Sequence, residues 1–187
     1  MSGLPSDIIV SAFVTLFVVV EPIGLAPIFL SVTHELPDRA RRQVALRACL
    51  IAFIVLGGAA LVGDWLLRML AITLPAFRIA GGLLLFSLAS EMVLGVRIRR
   101  ESRSAEEAVR HDVRDVAAFP LAVPLMAGPG AITATVLLAG QAAARPAFLA
   151  ALIGVIAAVM ATCLAVFLLA ALAVQFVVDG VRAVLAG

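Results

Sequence analysis

The chain has 187 residues, 64% of them hydrophobic, and a mean hydropathy of +1.17. No soluble domain of this size carries so much apolar surface, so composition excludes a soluble enzyme or a nucleic-acid-binding module and points to a single integral membrane domain over residues 1–187. The net charge is only +2, and all 14 basic residues are Arg, so where the arginines stand says more than their sum.

Apolar stretches of about 20 residues are candidate spans, given roughly 30 Å of hydrocarbon and a 1.5 Å rise per residue. The first covers 8–30 and follows an N-terminus without the positive charge of a cleavable signal. A polar loop at 31–43 leads to the second, 44–67, whose end is marked by Asp64, Trp65 and Arg68, with Trp65 suited to the headgroup level. A turn around Pro75 leads to the third, 76–96, and the longest polar segment follows at 97–115, patterned for a short surface helix. The fourth covers 116–140. From 147 to 178 the chain is almost wholly apolar and carries no charge. As one helix that run is roughly 48 Å long, too long for an untilted span and short for two spans with a turn. Cys49 and Cys163 lie in apolar runs and are expected to be packing residues, and His34 and His111 fall in polar loops.

Ten arginines stand in or beside the loops at 31–43 and 97–115, against three (Arg68, Arg78 and Arg145) in the loops between. Those two loops are therefore expected in the cytoplasm and the N-terminus outside.

Two spans carry helix breakers partway along their length: Glu21-Pro22-Ile23-Gly24 with Pro27, and Pro124 with Gly128-Pro129-Gly130. Proline removes a backbone donor and clashes with the preceding turn, and in lipid the freed groups must find partners or line a polar cavity. Interrupted spans in corresponding positions of two halves are the sequence pointer to a transporter's binding site. Glu21 stands near mid-depth, where a carboxylate is expensive. It is open to three roles: contact with a substrate ammonium or ion, proton exchange, or capping of the helix that starts at Pro22. A helix starting after Pro129 would aim N–H groups and the positive end of its dipole at a carboxylate. Thr133 could add a hydroxyl, although a threonine in a helix commonly bonds back to its own turn, as is also expected of Thr135. Gly57-Gly58 and Gly81-Gly82 are expected helix-packing points, and Glu91 is expected to pair with Arg97 or reach the interface.

The halves resemble each other. Pro22 matches Pro129 at an offset of 107, and 83–93 matches 167–177 at an offset of 84, placing Glu91 on Gln175. Three spans per half make the repeats inverted: 1–96, then the loop 97–115, then 116–187 shortened by 23 residues. The expected fold is all-α and polytopic, with two inverted three-helix repeats, broken first helices and five or six spans.

The strings FVTLFVVVEPIGLAPIFLSVT (13–33), RIAGGLLLFSLASEMVLG (78–95), FPLAVPLMAGPGAITATVLLAG (119–140) and AVQFVVDGV (173–181) resemble the MarC family, also described as small neutral amino acid transporters. The resemblance covers almost the whole chain. It implies a bacterial inner-membrane protein, typically of six spans; some members move glycine, alanine and similar small amino acids with an ion gradient. Members usually carry Asp where Glu21 stands and often Asn where this chain has Leu25. They have a fifth span, a loop and a sixth span where this chain is contracted.

The expected function is secondary transport of a small neutral amino acid. Glu21, Pro22, Ile23 and Gly24 would hold its ammonium; Ala127, Gly128, Pro129, Gly130, Ala131 and Thr133 would hold its carboxylate; Pro27 and Pro124 would serve as helix breaks that gate. Small side chains at both breaks suit a glycine-sized ligand. No metal spacing, phosphate loop or nucleophile–base pair is visible, so neither an enzyme nor a cofactor is expected, beyond a coupling H+ or Na+. The alternative is a membrane subunit or vestigial family member that transports nothing.

Overall fold

In a computed structural model the structure describes residues 6–34, 36–94, 117–142 and 146–186. These residues form helices and no strands: α1 (Ser6–Val20), α2 (Pro22–Thr33), α3 (Asp38–Met69), α4 (Leu74–Val93), an irregular coiled segment (Ala117–Met126), α5 (Pro129–Ala142) and α6 (Pro146–Ala186). Four stretches are long and apolar enough to cross a bilayer: Asp7–Thr33, which contains α1 and α2, then α3, α4 and α6. The coiled segment and α5, bent by 57° at the break between them, make a fifth when counted as one broken span. The chain is therefore a multi-pass helical membrane protein, with four or five spans among the described residues.

The count falls short of six because 146–186 is one uninterrupted helix. No proline follows Pro146, and Gly154 and Gly180 lie in open space and force no turn. At 1.5 Å per residue α6 is roughly 60 Å long, about twice the hydrocarbon thickness. Its first half is buried at Phe148, Leu152, Val155, Ile156, Val159, Met160, Cys163 and Phe167, a helical repeat that packs on α1, α2, α3 and α5. Beyond Phe167 its side chains are half-buried or exposed.

The polar loop expected at 31–43 is mostly helix. α2 runs to Thr33 and α3 starts at Asp38, because polar residues at a span's end extend the helix beyond the hydrocarbon. Arg41 makes the tight connection possible. Its guanidinium is buried and donates from Nε and Nη2 to the Thr33 carbonyl, 3.3 Å each, and from Nη2 to the His34 carbonyl at 3.4 Å. These carbonyls lie at the end of α2, where no intrahelical donor is left. At the other end of α3, Ala71 takes a left-handed φ of 56°. Its N–H donates to the Arg68 carbonyl and the Ile72 N–H to the Leu67 carbonyl, the hydrogen-bond pair that closes many helices. Thr73 then caps α4, its hydroxyl accepting from the Ala76 N–H.

α3 and α6 form the centre. The fully buried Phe29 of α2 and Phe167 of α6 stack with ring centroids 4.6 Å apart and planes 9° off parallel. α5 is threaded between α3 and α4 at glycines. A β-carbon on Gly63 would lie 2.7 Å from Val136, and one on Gly81 would lie 2.7 Å from the Thr133 methyl. Without hydrophobic drive between helices in lipid, such close approach supplies the dispersion that holds them. Of the expected packing glycines, Gly81 is in tight contact, Gly57 reaches only Ile153 at 3.8 Å, and Gly58 and Gly82 face open space. The surface helix expected at 97–115, Arg97 as a partner for Glu91, and His111 lie outside the described residues.

Candidate functional site

The first break is a single residue. Glu21 takes the left-handed conformation, φ 55° and ψ 58°, at a cost of about 1 kcal/mol for a residue with a β-carbon. Hydrogen bonding resumes at once on either side: the Glu21 N–H donates to the Phe17 carbonyl at 3.0 Å and the Leu25 N–H to the Glu21 carbonyl at 3.1 Å. The interruption sits here because Pro22 has no N–H to return to the preceding turn. Glu21 makes no side-chain cap bond to α2, so the capping role expected for it is not realised. Its carboxylate instead folds over the first turn of α2: a β-carbon on Gly24 would lie 2.9 Å from Glu21 Cδ and 3.0 Å from Oε1. Pro22 is buried, Ile23 is 71% exposed and points away, and Pro27 stands exposed within a helix that continues through it.

The second break is larger. Ala117–Met126 is wound irregularly, with extended backbone at Phe119 and Val123 and cis peptides before Pro120 and Pro124. The Ala127 N–H donates to the Ala122 carbonyl at 2.8 Å. The Pro124 carbonyl comes so near Gly128 that no β-carbon fits there. α5 then starts at Pro129. Pro129 has no N–H, and the Ile132 N–H is taken by the Gly128 carbonyl at 3.0 Å, so the N–H groups of Gly130 and Ala131 belong to the helix's open first turn. Ala127, Gly130 and Ala131 are buried, Gly128 is half-buried and Pro129 is exposed.

The two breaks lie side by side. The first turn of α5 packs at Gly130 against Leu88 of α4 and against Val19, two residues before Glu21, whose Cγ1 is 3.4 Å from the place a Gly130 β-carbon would take. Of the residues expected at the site, Gly130 thus meets the end of α1, while Gly128 lies against Pro124 and Leu125 of its own segment. The Glu21 carboxylate lies on the α2 side of its own break, against Gly24. Thr133 turns its methyl to Gly81, and Thr135 donates to the Ala131 carbonyl at 2.7 Å, the back-bonding expected of it.

Residues not singled out from the sequence complete the surroundings. A cavity of about 390 Å³ is lined by Asp7, Ser11 and Thr15 of α1, Leu85 of α4, and Ala134, Leu137, Leu138 and Gln141 of α5. It runs toward the breaks, since Leu85 also lies 3.8 Å from the Gly130 β-carbon position. The signal for it was present: Asp7, Ser11 and Thr15 are spaced by four and share a helix face. Among the described residues no cluster of His, Cys, Asp or Glu is placed to hold a metal ion.

Residues 6–169 match the sequence pattern of the MarC family integral membrane proteins. The chain is 41% identical over 134 residues to a UPF0056 membrane protein of Archaeoglobus fulgidus, covering 71% of this chain and 62% of that one. It is 38% identical to a UPF0056 membrane protein of Aquifex aeolicus, over 70% of this chain and 61% of that one. It is 39% identical to the UPF0056 membrane protein YhcE of Escherichia coli, over 66% of this chain and 58% of that one. The chain thus spans about three fifths of the length of these relatives. No solved structure matches it. A helical, multi-pass chain matched to this pattern from the start of α1 to beyond Phe167, with both helix breaks inside the match, belongs to the MarC family of integral membrane proteins.

Proposed function

We propose that this protein is a secondary transporter of the bacterial inner membrane for a small neutral amino acid such as glycine or alanine, driven by H+ or Na+. The observation that carries this reading is the juxtaposition of two interrupted spans, with the end of α1 against the first turn of α5 at Gly130. The open N–H groups of Gly130 and Ala131 and the helix dipole suit a carboxylate. Glu21, an acidic residue inside a span, suits an ammonium or a coupling ion. The small residues around both breaks leave room for little more than a glycine-sized side chain. The chemistry is binding and translocation, without covalent catalysis or a cofactor. The N-terminus is outside, the loops at 31–43 and 97–115 are cytoplasmic, and the two halves are related as inverted repeats; arginine placement and the matched breaks support this arrangement.

Uptake of labelled glycine and alanine into proteoliposomes tests the proposal. Folded protein without uptake or exchange would sink it, and full activity in Glu21→Gln would remove the carboxylate from the mechanism. A second reading is favoured by the single long α6: a membrane subunit or vestigial member that no longer alternates access. A stable complex with another membrane protein and no solute flux would support that reading instead.

A further inference from the structure

Beyond Phe167 the buried stripe of α6 gives way to a cleft against the start of α3. Leu168, Ala171, Leu172 and Gln175 fall at i, i+3, i+4 and i+7, one face of α6. Opposite them stand Asp38, Arg39, Arg41 and Arg42, in the first turns of α3, and the two faces bound a cavity of about 140 Å³. Three guanidiniums therefore meet one carboxylate. Arg41 is already committed: it donates to the Thr33 and His34 carbonyls, and its Nη1 lies 3.9 Å from Asp38 Oδ1. Arg39 and Arg42 are exposed and, among the described residues, have neither an ion pair nor a hydrogen bond. Gln175 is half-buried between the exposed Val174 and Phe176, so its amide lies on the cleft side. The positive end of the α3 dipole adds to the same field, since Pro37 gives that helix no side-chain cap.

An apolar surface continues from the cationic end. Arg39, Arg42, Leu46 and Leu50 share one face of α3, and both leucines are exposed. From Arg42 to Leu50 that face runs for roughly 12 Å along the helix. A soluble anion would use the arginines and gain nothing from the leucines. We propose that the cleft binds the phosphate of an anionic phospholipid, with Arg39 and Arg42 donating to its oxygens and the acyl chains lying along Leu46 and Leu50. Guanidinium forks match the spacing of phosphate oxygens, and basic pockets between spans on the cytoplasmic side suit anionic headgroups. The proposed topology puts the start of α3 on that side. Because Arg41 holds Asp38, the carboxylate leaves the other two guanidiniums available. The site is separate from the paired breaks and does not depend on the transport reading.

The full-length protein in dodecyl maltoside is titrated with phosphatidylglycerol, with phosphatidylcholine of the same acyl chains, and with inorganic phosphate. Bound molecules are counted by native mass spectrometry. The wild-type protein binds one phosphatidylglycerol at least about tenfold more tightly than phosphatidylcholine, and millimolar inorganic phosphate does not displace it. Arg39→Gln with Arg42→Gln abolishes the preference. Arg47→Gln with Arg182→Gln removes the same charge from exposed positions outside the cleft and changes the affinity less than about twofold. Both cleft arginines are exposed, so the lipid-free melting temperature of their double variant stays near that of the wild type. Ala171→Leu fills the cleft while keeping every arginine, and it gives the same loss of preference. Equal affinity for the two lipids, or equal losses in the two arginine pairs, would overturn the site. Displacement of phosphatidylglycerol by millimolar inorganic phosphate would assign the cleft to a free anion and overturn the lipid.

Discussion

Gly24 provides the space that the Glu21 side chain occupies, since a β-carbon on Gly24 would come within 2.9 Å of both Glu21 Cγ and Cδ. Gly24→Ala therefore displaces the carboxylate without removing it. Alanine favours the helix by about 1 kcal/mol over glycine, so the melting temperature in detergent holds or rises slightly. On the proposed transport reading, a displaced carboxylate would lose a charge-assisted hydrogen bond to a substrate ammonium, about 1.5–3 kcal/mol, and KM for uptake would rise roughly tenfold or more. An unchanged KM would separate the Glu21 pose from binding.

Gly130 and Leu88 form the tightest contact at the paired breaks. Gly130→Ala pushes on the end of the Leu88 side chain and costs about 1–3 kcal/mol as an overpacking change. Leu88→Ala in the same chain makes room and recovers most of that cost, so the double-mutant cycle gives a coupling of about 1 kcal/mol or more. Additive effects in chemical denaturation from detergent micelles would contradict the packing.

Arg41 is only 9% exposed, and its hydrogen bonds close the connection between α2 and α3. Arg41→Ala removes the guanidinium that bonds both the Thr33 and His34 carbonyls, leaving Thr33 the Leu36 N–H at 3.0 Å, and is expected to cost about 1–3 kcal/mol. Its neighbour Arg42 is exposed, and Arg42→Ala stays within about 0.5 kcal/mol. Thermal unfolding of the two variants side by side checks the contrast.

Ala71 holds a left-handed backbone, φ 56°, in the turn after α3. Ala71→Gly relieves the steric cost of its β-carbon and is expected to stabilise the protein by about 0.5–1 kcal/mol, less the entropy that glycine loses on folding. A lowered melting temperature would contradict the assigned turn.

Both breaks were legible in the sequence because proline lacks an N–H and no lipid replaces it. Their sizes were not. Glu21-Pro22 interrupts one residue, whereas Pro120, Pro124 and Pro129 together bend a span by 57°, and that difference depends on packing against α3 and α4. Side-chain direction also lay beyond composition: Ile23 points outward and Thr133 turns its methyl to Gly81. Arg41 counts as one of many interfacial arginines until the carbonyl end of α2 is seen to need a donor. The four-residue spacing of Asp7, Ser11 and Thr15 was visible, but inside an apolar run it gains meaning only when α5 and Leu85 close the opposite wall. The long apolar stretch after Pro146 left one helix or two equally open, and the absence of an internal breaker resolves it as one.

Counterflow tests the central claim most directly, since it needs no imposed gradient. Proteoliposomes loaded with unlabelled alanine, with Na+ and pH equal on both sides, are diluted into a trace of labelled alanine. The account predicts transient accumulation of label by the wild-type protein and its loss in Gly130→Val, where the first turn of α5 can no longer approach Val19 and Leu88. No accumulation of labelled alanine or glycine by folded wild-type protein, or accumulation undiminished in Gly130→Val, would contradict it.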